Sequence, residues 1–89
     1  MDMDLKMTEK FMESSDYKER FLAEYLQTKI RYEKLKKLNT RIEAAEMSQY
    51  NVNEPEHDCP SYLLKEQQRT MGEYLHILEI RAVIEGIEL

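Results

Sequence analysis

The sequence lacks tryptophan and contains only one cysteine, two glycines and two prolines among its 89 residues. So few glycines and prolines disfavour a sheet with many tight turns and favour long helices. The single cysteine, Cys59, cannot form an intramolecular disulfide, so nothing in the sequence requires an oxidising compartment. The composition therefore predicts an all-α protein and fits the reducing cytoplasm.

Long apolar runs are also missing. No stretch approaches the roughly 18 apolar residues of a membrane span, and the first residues, MDMDLKM, carry acids where a signal peptide carries basic residues. The formal net charge of -5 argues against general nucleic-acid binding, because phosphate neutralisation needs a basic surplus. We expect a cytoplasmic protein with no membrane partner.

The chain length allows one domain with one hydrophobic core. The patterns predict an N-terminal arm or short helix over residues 1–15 and a helical-hairpin domain over residues 16–89. Within that domain we expect a helix from about 16 to 47, a loop over 48–59 and a second helix from about 60 to 86. The two long helices should pack antiparallel.

Local signals mark the ends of both long helices. Asp16 followed by Glu19 matches a capping box at the start of the first helix. Pro60 suits the first position of the second helix, and Gly86 is a natural helix stop.

Apolar residues recur at helical spacing on one side of each long helix and predict the seam between them. These are Tyr17, Phe21, Tyr25, Tyr32, Leu35, Leu38 and Ile42 in the first helix, and Leu64, Met71, Leu75, Leu78 and Ala82 in the second.

Further apolar residues lie outside the seam, at the end of the hairpin where the first helix begins and the second ends. Val83 and Ile87 are two of them. Because large apolar patches rarely stay exposed, we expect a helical-bundle homo-oligomer, with the arm covering part of this surface. The predicted interface residues are Leu22, Leu26, Ile30, Ile77, Ile80 and Ile84.

A basic segment, KIRYEKLKKLNTR over residues 29–41, stands out in this acidic chain. One interpretation is a solvated surface whose cations pair with Glu33 and with acids of the other helix. The other is an anion or nucleotide pocket at an oligomer interface, where arginine binds phosphate and a tyrosine ring stacks on a base. The candidate ligand-binding residues are Tyr32, Arg31, Lys36, Arg69 and Arg81.

Residues that could support catalysis or bind a metal do not form a recognisable pattern. His57 and Cys59 lie close together without the paired spacing of a zinc site, and Glu73 with His76 gives only one Glu-x-x-His motif. No Gly-rich phosphate loop is present. We predict no metal site, no cofactor and no enzymatic activity.

The segments YKERFLAEYLQTKIRYEKLKKL and CPSYLLKEQQRTMGEYLHILEIRAVIEGIEL resemble small helical-hairpin proteins of crAss-like and other tailed phages. The resemblance spans roughly residues 17–88, with matching positions Leu63, Leu64, Gln67, Met71, Tyr74, Ile77, Leu78 and Arg81. It implies a phage origin, and small accessory phage proteins commonly counter host defence.

Our leading hypothesis is a phage binding protein that sequesters a nucleotide-type immune signal, such as a cyclic nucleotide or a related small anion, at oligomer interfaces. An alternative is an inhibitor that docks on a host defence protein and uses an acidic surface to mimic nucleic acid. A third alternative is a structural or assembly protein without a ligand.

Overall fold

The computed structural model describes residues 5–48 and 53–89, which form three helices. We number them α1 (Leu5–Met12), α2 (Tyr17–Met47) and α3 (Ser61–Glu85). No strand occurs in these ranges. The all-α prediction with two long helices is confirmed, and the described part of the arm forms a short helix. Residues 1–4 of the predicted arm and 49–52 of the predicted loop lie outside the described ranges.

The start of α2 shows half of the predicted capping box. Asp16 has extended backbone angles, and its carboxylate accepts a 2.9 Å hydrogen bond from the backbone N–H of Lys18. The backbone N–H of Asp16 donates to Ser14 Oγ at 3.0 Å rather than to Glu19.

The start of α3 corrects the predicted role of Pro60. Pro60 is the N-cap residue and the helix begins at Ser61, because ψ of Pro60 is 143°, outside the helical range. Its carbonyl accepts hydrogen bonds from the N–H groups of Leu63 and Leu64, at 3.1 and 3.2 Å.

The end of α3 is a Schellman turn built on Gly86. Gly86 has a φ of 69°, a left-handed backbone conformation that is strained for residues with a side chain. The backbone N–H of Ile87 donates to Ala82 O at 2.8 Å. The turn folds Ile87 back into the core, where it is 8% exposed. The prediction that Ile87 lies outside the main stripe was therefore wrong, since it extended the helical period past Gly86.

The core lies in the seam between α2 and α3. Its buried cluster has Tyr32 packed at its edge and consists of Phe21, Tyr25, Leu75, Leu78, Ala82 and Ile87. Ile42 is also fully buried further along α2. Several other predicted seam residues are only half-buried, because two helices cover each other along a narrow line: Leu35, Leu38, Leu64 and Met71. Tyr17 is exposed.

A buried asparagine fixes how far one helix is shifted along the other. Asn39 is 2% exposed and donates to Leu64 O at 3.1 Å and to Gln68 Oε1 at 2.8 Å. Sliding α3 by one turn would leave this amide buried without partners, at a cost of about 1–3 kcal/mol. The contact therefore selects one antiparallel register.

The short helix α1 packs on α2 and not on α3. Gln27 of α2 donates to Thr8 Oγ1 at 2.8 Å and to Met12 Sδ at 2.6 Å. Ile30 lies three residues after Gln27 on the same side of α2, Leu26 lies one turn before Ile30, and both are half-buried. The arm thus covers part of the second apolar face, as the sequence predicted.

The molecule is a rod measuring 51 × 25 × 23 Å. Among its described helices, none combines the length and apolarity needed to cross a lipid bilayer.

Asp16→Ala should lower the free energy of unfolding by about 1 kcal/mol, because the first turn of α2 loses its side-chain acceptor. Urea unfolding followed by circular dichroism measures this change. Ser15→Ala, one residue earlier and exposed, is the control and should leave the midpoint in place. Equal effects of the two substitutions would contradict the assigned cap.

Candidate functional site

A groove of about 200 Å³ lies along one side of the α2–α3 seam. From α2 it is lined by Tyr25, Lys29, Tyr32 and Glu33, and from α3 by Gly72, Leu75 and Glu79. These side chains follow one another at helical spacing, so the antiparallel packing brings them to the same edge. The groove combines aromatic surface, a lysine and two carboxylates.

Gly72 shapes the groove because it has no side chain. A Cβ at this position would lie 3.2 Å from Cε1 of Tyr32, so the ring packs directly against the backbone of α3. Glycine inside a helix costs roughly 0.5–1 kcal/mol relative to alanine. The close approach of Tyr32 is the structural reason for this unfavourable residue.

Tyr25 forms the inner wall of the groove and is held by the opposite helix. Its hydroxyl donates to Glu79 Oε2 at 2.6 Å. Burial, together with this hydrogen bond and the charge of Glu79, raises the pKa of Tyr25 to about 12. The amino group of Lys29 lies 5.6 Å from the centroid of the same ring, a cation–π distance.

Beside the groove, and sharing Glu33 with it, is a shallow depression on the surface of α2. It is lined by Glu33, Lys36, Lys37, Thr40 and Arg41. We call Lys29, Lys36, Lys37 and Arg41 the basic flank. Groove and flank together form one continuous surface with aromatic rings at one end and cations along the other.

The cations of this segment are not neutralised by their own chain. In the described ranges, ion pairs involve Lys65, Arg69, Arg81 and the two histidines, but none of the six basic residues between 29 and 41. The ion pairs to Glu33 and to acids of α3 that the first interpretation expected are therefore not formed, whereas the exposure of all six cations fits the solvated surface of the same interpretation. The positive charge of α2 faces solvent.

The five sequence-predicted ligand residues do not come together at one point. Tyr32 lines the groove and Lys36 lines the depression, whereas Arg31 is exposed and lines neither. Arg69 is held by Glu66 and Glu73 on α3. Its hydrogen bond lowers the pKa of Glu66.

Arg81 is likewise engaged within the chain. It pairs with Glu85 at 3.1 Å, donates to the Tyr17 hydroxyl at 2.7 Å and lies 5.0 Å from the Phe21 ring centroid. The Tyr17 hydroxyl in turn donates to Glu85 Oε1 at 2.8 Å, and this bond is the main reason that the pKa of Tyr17 is raised. Arg81 therefore joins α2 to α3.

Sequence reasoning missed Lys29, Tyr25 and Gly72 as groove residues. Lys29 was only one of six similar cations, and Tyr25 looked like an ordinary seam residue. The signal that could have identified Gly72 was a glycine inside a strong helical pattern, which often marks a close approach.

The His57 and Cys59 cluster serves the loop before α3. His57 Nδ1 lies 2.6 Å from Cys59 O, and this backbone hydrogen bond is the main cause of the raised pKa of His57. Across residues 5–48 and 53–89, no three His, Cys, Asp or Glu side chains converge as a metal-binding group would.

These features define an all-α hairpin with an aromatic groove beside an unpaired basic flank. The model of the Sequestin family matches residues 15–84, and the chain belongs to that family. The matched range nearly coincides with residues 17–88, over which the chain resembles helical-hairpin proteins of tailed phages. The family name indicates sequestration, which requires binding of another molecule. Neither a comparison with curated proteins nor one with solved structures found a match.

Titration of the tyrosines should show a late ionisation step near pH 12 that Tyr25→Phe removes. A folded pKa above the unfolded value of about 10 means that Tyr25 stabilises the fold fully below pH 10 and loses this effect between about pH 10 and 12. Near-ultraviolet tyrosinate absorbance measures the step. Tyr62→Phe, which removes an exposed hydroxyl, is the control and should retain it.

Gly72→Ala should test the packing of Tyr32 in a double-mutant cycle. With Tyr32→Ala as background, the extra methyl group should raise the free energy of unfolding by about 0.5–1 kcal/mol, the helix preference for alanine. With Tyr32 present the gain should shrink or reverse, because the ring must move away. Thermal unfolding measures both; equal gains would show that the ring does not press on this position.

Proposed function

We propose that this Sequestin-family protein binds and sequesters a nucleotide-type signalling molecule, as a phage accessory protein acting against host defence. The observation that carries the proposal is the unpaired basic flank beside an aromatic groove in a chain of net charge -5. Its proposed place of action is the cytoplasm of an infected cell.

The charge distribution supports a small anionic ligand. Between residues 29 and 41 six cations repel one another, and Glu33 is the one acid in this segment of α2 that can offset them. An anion with several phosphates would relieve this repulsion, and lysine and arginine donors form strong charge-assisted hydrogen bonds to phosphate. The acidic remainder of the protein repels long polyanions, which favours a compact ligand over DNA or RNA.

The groove supports a ligand with a planar ring. The half-buried Tyr32 lies next to Lys29, so a base stacked on the aromatic edge would bring its phosphates toward the basic flank. Lys36 then supplies a further cation on the same side of α2, whereas Arg31 lines neither cavity and the proposal does not depend on it. Arg69 and Arg81 would first have to leave their carboxylate partners, so the proposal does not depend on them.

In this proposal the protein acts as a homo-oligomer that binds the ligand near a subunit interface. A groove of about 200 Å³ is smaller than the roughly 300–1,000 Å³ of typical small-molecule sites. A neighbouring copy would supply further walls. Such a sponge lowers the free concentration of its ligand by stoichiometric binding, and the proposal assigns no catalytic role to any residue.

Isothermal titration calorimetry with a panel of cyclic oligonucleotides and ADP-ribose derivatives tests the proposal. We expect saturable binding by at least one compound. The double variant Lys29→Glu/Lys36→Glu should weaken binding by at least about tenfold, since each lost charged hydrogen bond is worth about 1.5–3 kcal/mol.

The matched control is Lys10→Glu/Lys18→Glu, which changes the net charge equally at exposed positions outside the groove and depression. It should retain affinity. If none of the compounds gives a heat of binding, the proposal is overturned. If reversal of Glu66 and Glu73 then abolished activity against host defence, the acidic protein inhibitor would replace it, and no effect of either set would favour an assembly role.

A further inference from the structure

The outer face of α3 is apolar near its C-terminal end. Four aliphatic side chains there are exposed by about half or more: Ile77 (53%), Ile80 (48%), Val83 (83%) and Ile84 (77%). We call them the outer strip. Ile77, Ile80 and Ile84 follow the three- and four-residue spacing of a helix-packing stripe.

The outer strip points away from the rest of the chain. Leu75, Leu78 and Ala82 are buried against α2, and the strip lies on the opposite side of α3 at helical spacing. Helix α1 packs on α2 rather than on α3. No helix among the described residues therefore covers this surface.

The rest of the same face is charged. Over the three turns before Ile77, the outer side of α3 carries Glu73, Glu66 and the Arg69 that pairs with both of them. The face is thus divided along its length into a charged half and an apolar half.

This division indicates which partner and which orientation fit. Parallel packing of two α3 helices would place Glu66 and Glu73 against their copies, where like charges repel. Antiparallel packing about a two-fold axis near Ile80 places apolar half on apolar half and leaves the charged halves in solvent. In this arrangement the surface packs on itself without bringing the two charged halves together.

We propose that the outer strip is the interface of a homodimer in which α3 packs antiparallel to α3 of a second copy, with Ile77 of one copy near Ile84 of the other. This inference specifies the oligomer assumed in the proposed function. The sequence predicted an oligomer interface with residues from both long helices. The present inference places the interface on α3 alone, since Leu22, Leu26 and Ile30 of α2 are already half-buried within the chain.

The arrangement places both grooves on one side of the dimer. The two-fold axis is perpendicular to the plane of the paired helices, so the two grooves open in the same direction, each separated from the partner by its own α3.

Analytical ultracentrifugation tests the interface. The wild-type protein should sediment as a dimer, and Ile77→Lys/Ile84→Lys should sediment as a monomer with an unchanged helical circular dichroism spectrum. The control Met47→Lys/Tyr62→Lys changes side chains that are 81% and 73% exposed at the other end of the rod and should remain dimeric. A monomeric wild type, or a dimeric strip variant, would overturn the inference.

A cysteine at the axis tests the orientation. Cys59→Ser/Ile80→Cys should form a disulfide-linked dimer on mild oxidation, because a residue on a two-fold axis faces its own copy. Cys59→Ser/Tyr62→Cys should cross-link at least tenfold more slowly. Equal rates would overturn the antiparallel arrangement.

Ligand titration of the same variants separates the two proposals. A strip-dependent dimer that binds none of the nucleotides supports the interface and overturns the proposed function. A monomeric wild type that binds a nucleotide overturns the interface alone.

Discussion

The register of α2 against α3 is the constraint on which the rest of this structure depends, and polar contacts set it. Aliphatic side chains in a two-helix seam tolerate sliding, whereas the Asn39 amide fits only between Leu64 O and Gln68. Further along, the Tyr25 hydroxyl meets Glu79. Together they place Tyr32 against Gly72, and the groove exists because of that placement.

Hydrogen bonds between tyrosine and glutamate also hold the helices from both sides of the seam. Tyr25 bonds Glu79 on the groove side, while Tyr74 reaches across to Glu24 at 3.2 Å. Glu24 and Tyr25 are consecutive and therefore project about 100° apart on α2. Burial and the nearby charge of Glu24 raise the pKa of Tyr74 as well. Rotation of α3 about its own axis would break one set of bonds.

The two long helices treat their positive charges differently. On α3, Arg69 and Arg81 are enclosed by glutamates three or four residues away, and such pairs stabilise the isolated helix. In the basic segment of α2, residues 29–41, the cations have no such neighbour apart from Glu33. Local helix stability therefore explains the arginines of α3, and it does not explain the basic segment of α2.

Helical periodicity was enough to predict the fold. The apolar spacing identified the buried faces of both long helices, and Asp16 and Gly86 marked helix ends correctly, because these signals depend on residues close together in the chain. Ile87 was misplaced because a left-handed residue redirects the chain after the helix.

The site was less predictable. Lys29 is distant in sequence from Gly72 and Glu79, and only the register brings it to them. Arg69 and Arg81 were chosen although Glu66, Glu73 and Glu85 lie three or four residues away, the spacing at which ion pairs form on a helix. Whether a cation is neutralised depends on side-chain geometry on the helix surface.

The attachment of α1 has a consequence for the motions of the molecule. Eight residues form this helix, and the described polar contacts that hold it on α2 all involve the Gln27 amide, with Thr8 and Met12. Helices this short are marginal alone, so α1 should open locally well before the hairpin unfolds. Water can replace the partners of Gln27 and Thr8 when this happens. Amide protons of Leu5–Met12 should accordingly exchange with solvent orders of magnitude faster than those in the middle of α2.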